Sequence, residues 1–124
     1  MQCPKCHGTM ETVVHQGFQA HRCQQCQGMW FAMGEAEHLK DAAETIDTGD
    51  ASQGERCNQV DRIQCPVCVG ARDLVRMVDA RQPHIWYESC KYCYGRFYDA
   101  GEFRDFAEYD FGDWLKDRKV STRF

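Results

Sequence analysis

Aliphatic residues are scarce in this chain of 124: three Leu, three Ile and eight Val join seven Phe to fill only 21 positions. A domain of this length ordinarily needs more apolar surface than that to offset the entropy of ordering its backbone, so burial alone does not account for a fold. Basic charge is not in excess either, with 15 Lys and Arg against 19 Asp and Glu and a formal net charge of -4. That balance excludes plain disorder driven by charge, and it makes the average surface a poor match for nucleic acid. No basic stretch with an apolar run precedes the first cysteines, as a secretory leader requires, so the expected setting is reducing and cytoplasmic, without a membrane. Missing as well are a Gly-rich phosphate loop, an H-E-x-x-H pair and a Ser/His/Asp arrangement, so no enzyme is expected.

What the chain does have is nine cysteines. Eight form four C-x-x-C pairs: Cys3 with Cys6, Cys23 with Cys26, Cys65 with Cys68, and Cys90 with Cys93. Cys57 stands outside them and reads as a spare thiol. Two residues between two thiolates let one tight turn aim both sulfurs at one ion, and two such turns complete a tetrahedron. The reading is two four-cysteine sites binding two zinc ions, with iron the alternative because such ligands alone do not choose between the metals. Redox C-x-x-C chemistry and structural disulfides fit less well, since no βαβ pattern frames the pairs. Each pair is followed, after one residue, by a glycine: Gly8, Gly28, Gly70 and Gly95. The expectation is that these glycines supply positive φ to the turns. Four sulfurs saturate each ion, so His7, His15, His21, His38 and His84 are expected on the surface or in packing roles, and no coordination position is left for a catalytic water.

The chain repeats itself. Cys3, Cys6 and Gly8 recur 62 positions on, and Cys23, Cys26, Gly28, Trp30, Phe31, Gly34 and Glu35 recur 67 positions on as Cys90, Cys93, Gly95, Phe97, Tyr98, Gly101 and Glu102. The difference of five reads as an insertion in a hairpin between the pairs. Extended segments are expected over Met10 to His15 and Phe18 to Arg22 around Gln16 and Gly17, and again over Leu74 to Asp79 and His84 to Glu88. A helix follows each second pair. The first spans Gly34 to Asp47 with Ala36, Leu39, Ala43 and Ile46 on one face; the second carries Phe103, Phe106, Ala107, Phe111, Trp114 and Leu115. Glu35 and Glu102 are expected to favour the helix dipoles. The fold class is a small metal-stapled α+β protein of two zinc ribbons, each with a short helix: residues 1–47, a flexible polar linker at 48–56, and residues 57–124 with a basic tail. Each ribbon is expected to keep its own complete ligand set.

The motif C-P-x-C, a hairpin, C-x-x-C-x-G-x-W and then G-E with a helix resembles the small bacterial zinc-ribbon family named for its similarity to the ribbon of transcription factor IIB. Copy one carries it as Cys3-Pro4-Lys5-Cys6, Cys23 to Phe31 and Gly34-Glu35, and copy two as Cys65-Pro66-Val67-Cys68 and Cys90 to Glu102. Ala32 departs from the family's usual Asp, which copy two keeps as Asp99, and Phe97 replaces the Trp. The resemblance implies a metal ribbon and suggests a non-enzymatic interaction module linked to transcription. Eleven of the fifteen aromatic rings lie between Trp86 and Trp114, so the second copy is the expected partner-facing half. Phe97 and the helix face are expected to close over the second metal site, leaving Arg76, Arg81, Trp86, Tyr87, Lys91, Tyr92, Tyr94 and Arg96 as a surface for a protein. Direct RNA or DNA binding through the same Arg and aromatic residues is the first alternative, with Arg62, Arg72 and the basic tail beside them; a thiol-based metal or redox sensor is the second. No small-molecule substrate is indicated.

Overall fold

The structure, a computed structural model, describes residues 1–57, 63–68, 70, 72–78, 86–104 and 106–107 of the chain. The first hairpin pairs β1 (Met10–His15) with β2 (Phe18–Cys23), Met10 opposite Cys23 and His15 opposite Phe18. Its turn sits on Gln16 and Gly17, with φ of 52° and 84°, the paired positive values that match the twist of the flanking strands. A third strand, β3 (Met29–Phe31), then runs antiparallel beside β2. The second copy repeats the plan with β4 (Val75–Val78), β5 (Trp86–Ser89) and β6 (Arg96–Tyr98).

The two third strands pair with each other, making one antiparallel sheet in the order β1-β2-β3-β6-β5-β4. Trp30 lies opposite Phe97, Met29 opposite Tyr98 and Phe31 opposite Arg96. A shift of 67 residues exchanges the outer two pairs and leaves the central one in place, so the copies are related by an approximate two-fold axis through Trp30 and Phe97. A three-residue apolar strand has no alternation to display, which is why Trp30-Phe31 and Phe97-Tyr98 read only as aromatic couples beforehand.

Register relocates the expected insertion. Six residues separate the bridged pair Gln2 and Thr9, and eight separate its counterpart Gln64 and Asp73, so two of the five extra residues lie in the first turn of copy two. The other three fall between Val78 and Trp86, where seven residues intervene and only four lie between Val14 and Gln19. The stretch between the two expected segments, with Arg81, and the start of the second at His84 lie outside the described residues.

The helix expected over Gly34 to Asp47 is broken. It forms α1 (Glu35–His38), a 3₁₀ turn at Lys40–Ala42 and α2 (Ala43–Ile46), because Leu39 and Ala42 leave α geometry with φ near -100°. Its inward residues Ala36, Leu39, Ala43 and Ile46 are buried as expected. In copy two, residues 102–104 and 106–107 are helical; Phe111, Trp114, Leu115 and the basic tail lie outside the described residues. Between the copies, α3 (Ala51–Cys57) replaces the flexible connector that the composition suggested. Asp50 starts it, accepting from the Ser52 amide at 2.9 Å and hydroxyl at 2.6 Å.

Strand alternation divides the interior between the two sheet faces. On one face Ala20, Met29, Phe31, Tyr87 and Tyr98 meet the helical residues Leu39, Ile46, Phe103 and Phe106. Phe31 and Phe103 have ring centroids 4.3 Å apart, and Tyr98 and Phe106 5.7 Å. On the other face Trp30 and Phe97 pack with Met10, Ile63, Leu74 and the cysteines. The aromatic helix face therefore builds a sheet-on-helix core instead of closing over the second metal site, as its sequence position had suggested. Glu35 and Glu102 also do more than favour a dipole: Glu35 Oε2 accepts from the Gln19 amide at 3.1 Å and Glu102 Oε2 from the Trp86 amide at 3.3 Å, tying each helix to the neighbouring hairpin.

Candidate metal centres

Each four-cysteine set gathers within one copy: Cys3, Cys6, Cys23 and Cys26 in the first, Cys65, Cys68, Cys90 and Cys93 in the second, with all sulfurs of a set within 4.8 Å of one another. Sγ separations are 3.6 Å for Cys3 and Cys26, 3.3 Å for Cys6 and Cys23, and 3.7 Å for Cys65 with Cys93 and Cys68 with Cys90. Disulfides, at about 2.05 Å, are excluded by these distances. Four sulfurs held about 2.3 Å from a zinc ion stand about 3.8 Å apart, so both sets have the dimensions of a closed tetrahedral site. No ligands are exchanged between the copies.

Backbone geometry explains how turns this short hold two sulfurs. Cys3, Cys23 and Cys90 donate their amides to the carbonyls of Gly8, Gly28 and Gly95 at 2.8, 2.9 and 3.0 Å, and His7, Gln27 and Tyr94 donate back to the same cysteines' carbonyls. Amides of Gln25, Cys26, Cys68 and Tyr92 point at ligand sulfurs at 3.3 to 3.4 Å, which stabilises thiolate charge. Positive φ falls on His7, Gln27 and Tyr94, at 62°, 62° and 59°, one residue before the glycines thought to need it; only Gly70 carries it itself.

The other glycines are there for space. A Cβ on Gly28 would sit 2.3 Å from the Phe97 ring, and one on Gly95 2.2 Å from the Trp30 ring. Each copy's aromatic thus lies on the other copy's glycine, and the motif C-x-x-C-x-G-x-W is an instruction for joining two ribbons as well as for binding metal. Gly28→Ala is expected to lower stability by about 1–3 kcal/mol through overpacking against the Phe97 ring. Chemical denaturation of the zinc-loaded protein measures the loss.

In the absence of metal the crowded thiols polarise one another. The Cys26 thiol donates to Cys3 and holds it down at about 5, while Cys26 itself is raised by the same bond and by burial. Burial pushes Cys6 up to about 11. A divalent cation is the partner that lets all four ionise together.

Beside the first centre lies a buried ion cluster that crosses the copies. Lys5, between two ligands in the first turn, extends its Nζ to Asp99 Oδ2 at 2.7 Å, Glu88 Oε1 at 3.2 Å and the carbonyl oxygen of Cys57 at 3.0 Å. Burial raises Asp99 to about 6 against the opposing pull of Lys5. The repeat places Val67, His21 and Ala32 at the counterparts of Lys5, Glu88 and Asp99. Copy one carries Ala32 where copy two carries Asp99, and the position in copy two that corresponds to Lys5 is an exposed Val67. The sequence showed these exchanges separately; only the sheet joins them. Asp47 makes a second tie, accepting from the amides of Gly101 at 3.0 Å and Arg104 at 2.9 Å at the start of copy two's helix. Cys57, half-buried, packs against the first centre's sulfur cluster.

The expected partner surface is divided. Trp86 is exposed at the hairpin end with the Arg76 guanidinium 5.4 Å from its ring, and Arg76 also pairs with Glu88 at 3.0 Å. Lys91, Tyr92 and Tyr94 are exposed at the metal end, where Arg72 stacks 3.8 Å from the Tyr92 ring centroid. Tyr87 is buried against Tyr98, and half-buried Arg96 covers it at 4.6 Å, so Tyr87 is not exposed and Arg96 is only partly so. Arg62 and Arg81 lie outside the described residues. Of the histidines, His38 stacks on Phe18 at 4.3 Å, and none of the described ones joins a metal set.

Residues 2–42 match a family model described as transcription factor zinc-finger, the TFIIB-type zinc ribbon. The match covers the first ribbon, and the second four-cysteine cluster marks a further one. Together with the sulfur geometry it assigns two structural zinc ions. No curated protein and no solved structure matches the chain. Among the described residues no helix is long and apolar enough to cross a membrane.

Proposed function

We propose that this tandem of TFIIB-type ribbons is a non-enzymatic interaction module that docks a protein partner through its second ribbon, with a role connected to transcription. The observation that carries the reading is a division of labour among the side chains. Eight sulfurs close both metal centres and leave no position for a reacting water. Three of the exposed apolar side chains meanwhile sit together at one end of the sheet: Met77 and Val78 on the edge strand β4, with Trp86 beside them. An edge strand offers unpaired backbone groups to an extended peptide, and a partly exposed Trp is the kind of anchor that dominates protein interfaces. The transcription link rests on the family description of residues 2–42.

Nucleic acid is the weaker reading. Two four-thiolate zinc centres take the formal charge of -4 to about -8, and Arg72, Arg76 and Arg96 are already seated on rings. The zinc-loaded chain is expected to capture a protein from its own cell lysate, and Trp86→Ala with Val78→Ser to lose it while retaining two zinc ions. Capture that is indifferent to this pair, or tight oligonucleotide binding that weakens steeply with salt, would overturn the reading.

A further inference from the structure

The approximate two-fold axis gives the sheet two equivalent outer corners, and they are not alike. At the corner of copy two, Val78 lies opposite Trp86 and Arg76 opposite Glu88, all four on the sheet face that carries Phe97. Val14, Gln19, Thr12 and His21 hold the equivalent places in copy one. There Thr12 Oγ1 meets His21 Nδ1 at 3.4 Å in an exposed contact, and Gln19 stands where copy two has its indole.

In copy two the same places continue a run of contacts that begins at the opposite ribbon's metal turn. Lys5 Nζ reaches Glu88 Oε1 at 3.2 Å, and the same carboxylate oxygen accepts from the Arg76 guanidinium at 3.0 Å. The Arg76 guanidinium carbon in turn lies 5.4 Å from the centre of the Trp86 ring, close enough for a cation to be attracted to an indole face. Lys5 is itself fixed at both ends. Its backbone lies between the ligands Cys3 and Cys6, and its Nζ is held by Asp99 Oδ2 at 2.7 Å and the Cys57 carbonyl at 3.0 Å.

One carboxylate oxygen shared by two cations divides its attraction between them. With Lys5 in place, Glu88 holds Arg76 only in part, and the Arg76 side chain stays 27% exposed over the ring. Removing Lys5 leaves a buried carboxylate whose whole pull falls on Arg76 and draws the guanidinium inward, off the indole. Removing the Glu88 charge instead takes away the guanidinium's hold on the interior.

We infer that the first ribbon's metal turn positions the second ribbon's docking corner: Lys5, by sharing Glu88 with Arg76, keeps the Arg76 guanidinium on Trp86. Lys5 and Glu88 are then positioning residues, acting through Arg76 on an anchor neither of them touches, along a continuous chain of contacts. This gives the first ribbon a part in recognition although the exposed anchor lies in the second. The positioning rests on the docking reading for its purpose.

The test is the Trp86 indole N–H resonance in the nitrogen-labelled, zinc-loaded full chain, assigned with Trp86→Phe and read in variants that retain two zinc ions. Arg76→Ala marks where the resonance lies with no guanidinium over the ring. Lys5→Met and Glu88→Gln are each expected to move it most of the way to that position, with Lys5→Gln used where Lys5→Met does not retain both ions. Asp47→Asn, which weakens a different tie between the copies, is expected to leave it in place. An indole resonance unmoved by the Lys5 variant or by Glu88→Gln would overturn the inference, as would an equal displacement in Asp47→Asn. No partner is needed for this readout, so capture indifferent to Trp86→Ala with Val78→Ser refutes the docking reading and an unmoved indole refutes the positioning.

Discussion

Chelation of zinc under reducing conditions is expected to unfold both ribbons in one cooperative loss of far-UV and near-UV circular dichroism. Structural zinc contributes on the order of 10–16 kcal/mol of apparent free energy per site in small zinc-finger peptides, more than the whole stability of a typical domain. The ligands here lie at the ends of strands: Cys23 closes β2, and Cys90 and Cys93 sit between β5 and β6. Without the ions, crowded thiols replace tetrahedral centres and the strand ends have nothing to hold them. The shared sheet extends the effect. Cys65→Ser is expected to weaken zinc retention at Cys3, Cys6, Cys23 and Cys26 as well, because β3 packs along β6 and Phe97 lies on Gly28. Circular dichroism during a chelator titration, with zinc release followed in parallel, checks both statements. Unchanged spectra after both ions have left would refute the first; independent release from the two sites would refute the second.

Lys5→Met is expected to destabilise the zinc-loaded protein by about 3–5 kcal/mol, measured by urea denaturation. The substitution keeps the stem and removes the charge, leaving Asp99 buried without its cation beside a Glu88 that retains only Arg76. Asp99 Oδ1 has no hydrogen-bond partner among the described residues even with Lys5 present, so the cluster has little with which to compensate. The cost belongs to breaking the set, since a buried ion cluster is a weak source of net stability. Hence the triple variant Lys5→Val, Glu88→His and Asp99→Ala, which copies the residues at the equivalent positions Val67, His21 and Ala32, is expected to recover most of the loss. A single variant as stable as the parent, or a triple variant less stable than the single one, would contradict this account.

The metal centres were legible from cysteine spacing because tetrahedral coordination is a local rule: two turns, each with its own pair, suffice. The first hairpin was legible for a similar reason, since Gln16-Gly17 announces its turn type. Helix faces were readable where periodicity spans several turns, though not the break at Leu39, which nothing in the local pattern marks. Burial of Tyr87 and Arg96 was not readable, because an aromatic next to an arginine has the same composition in a core as on a surface. The motif glycines misled for another reason. Their location beside a turn suggested positive φ, while the constraint came from a ring 65 or 69 residues away in the chain.

From sequence alone came two closed four-thiolate centres, two ribbons and the scarcity of aliphatic residues that makes metal necessary. Tertiary structure decided that the ribbons are one sheet: Trp30 and Phe97 reach across to glycines of the opposite copy, Lys5 finds its carboxylates in the other ribbon, and Asp47 caps the other ribbon's helix. It also showed that the thin core is not missing, since Met29, Phe31, Tyr98 and Phe103 form one once the copies are joined. The physical reason is range. A ligand turn is set by neighbours a few residues away, whereas an interface between repeats depends on which side chains a two-fold axis brings together, and that pairing is written in no single stretch of the chain.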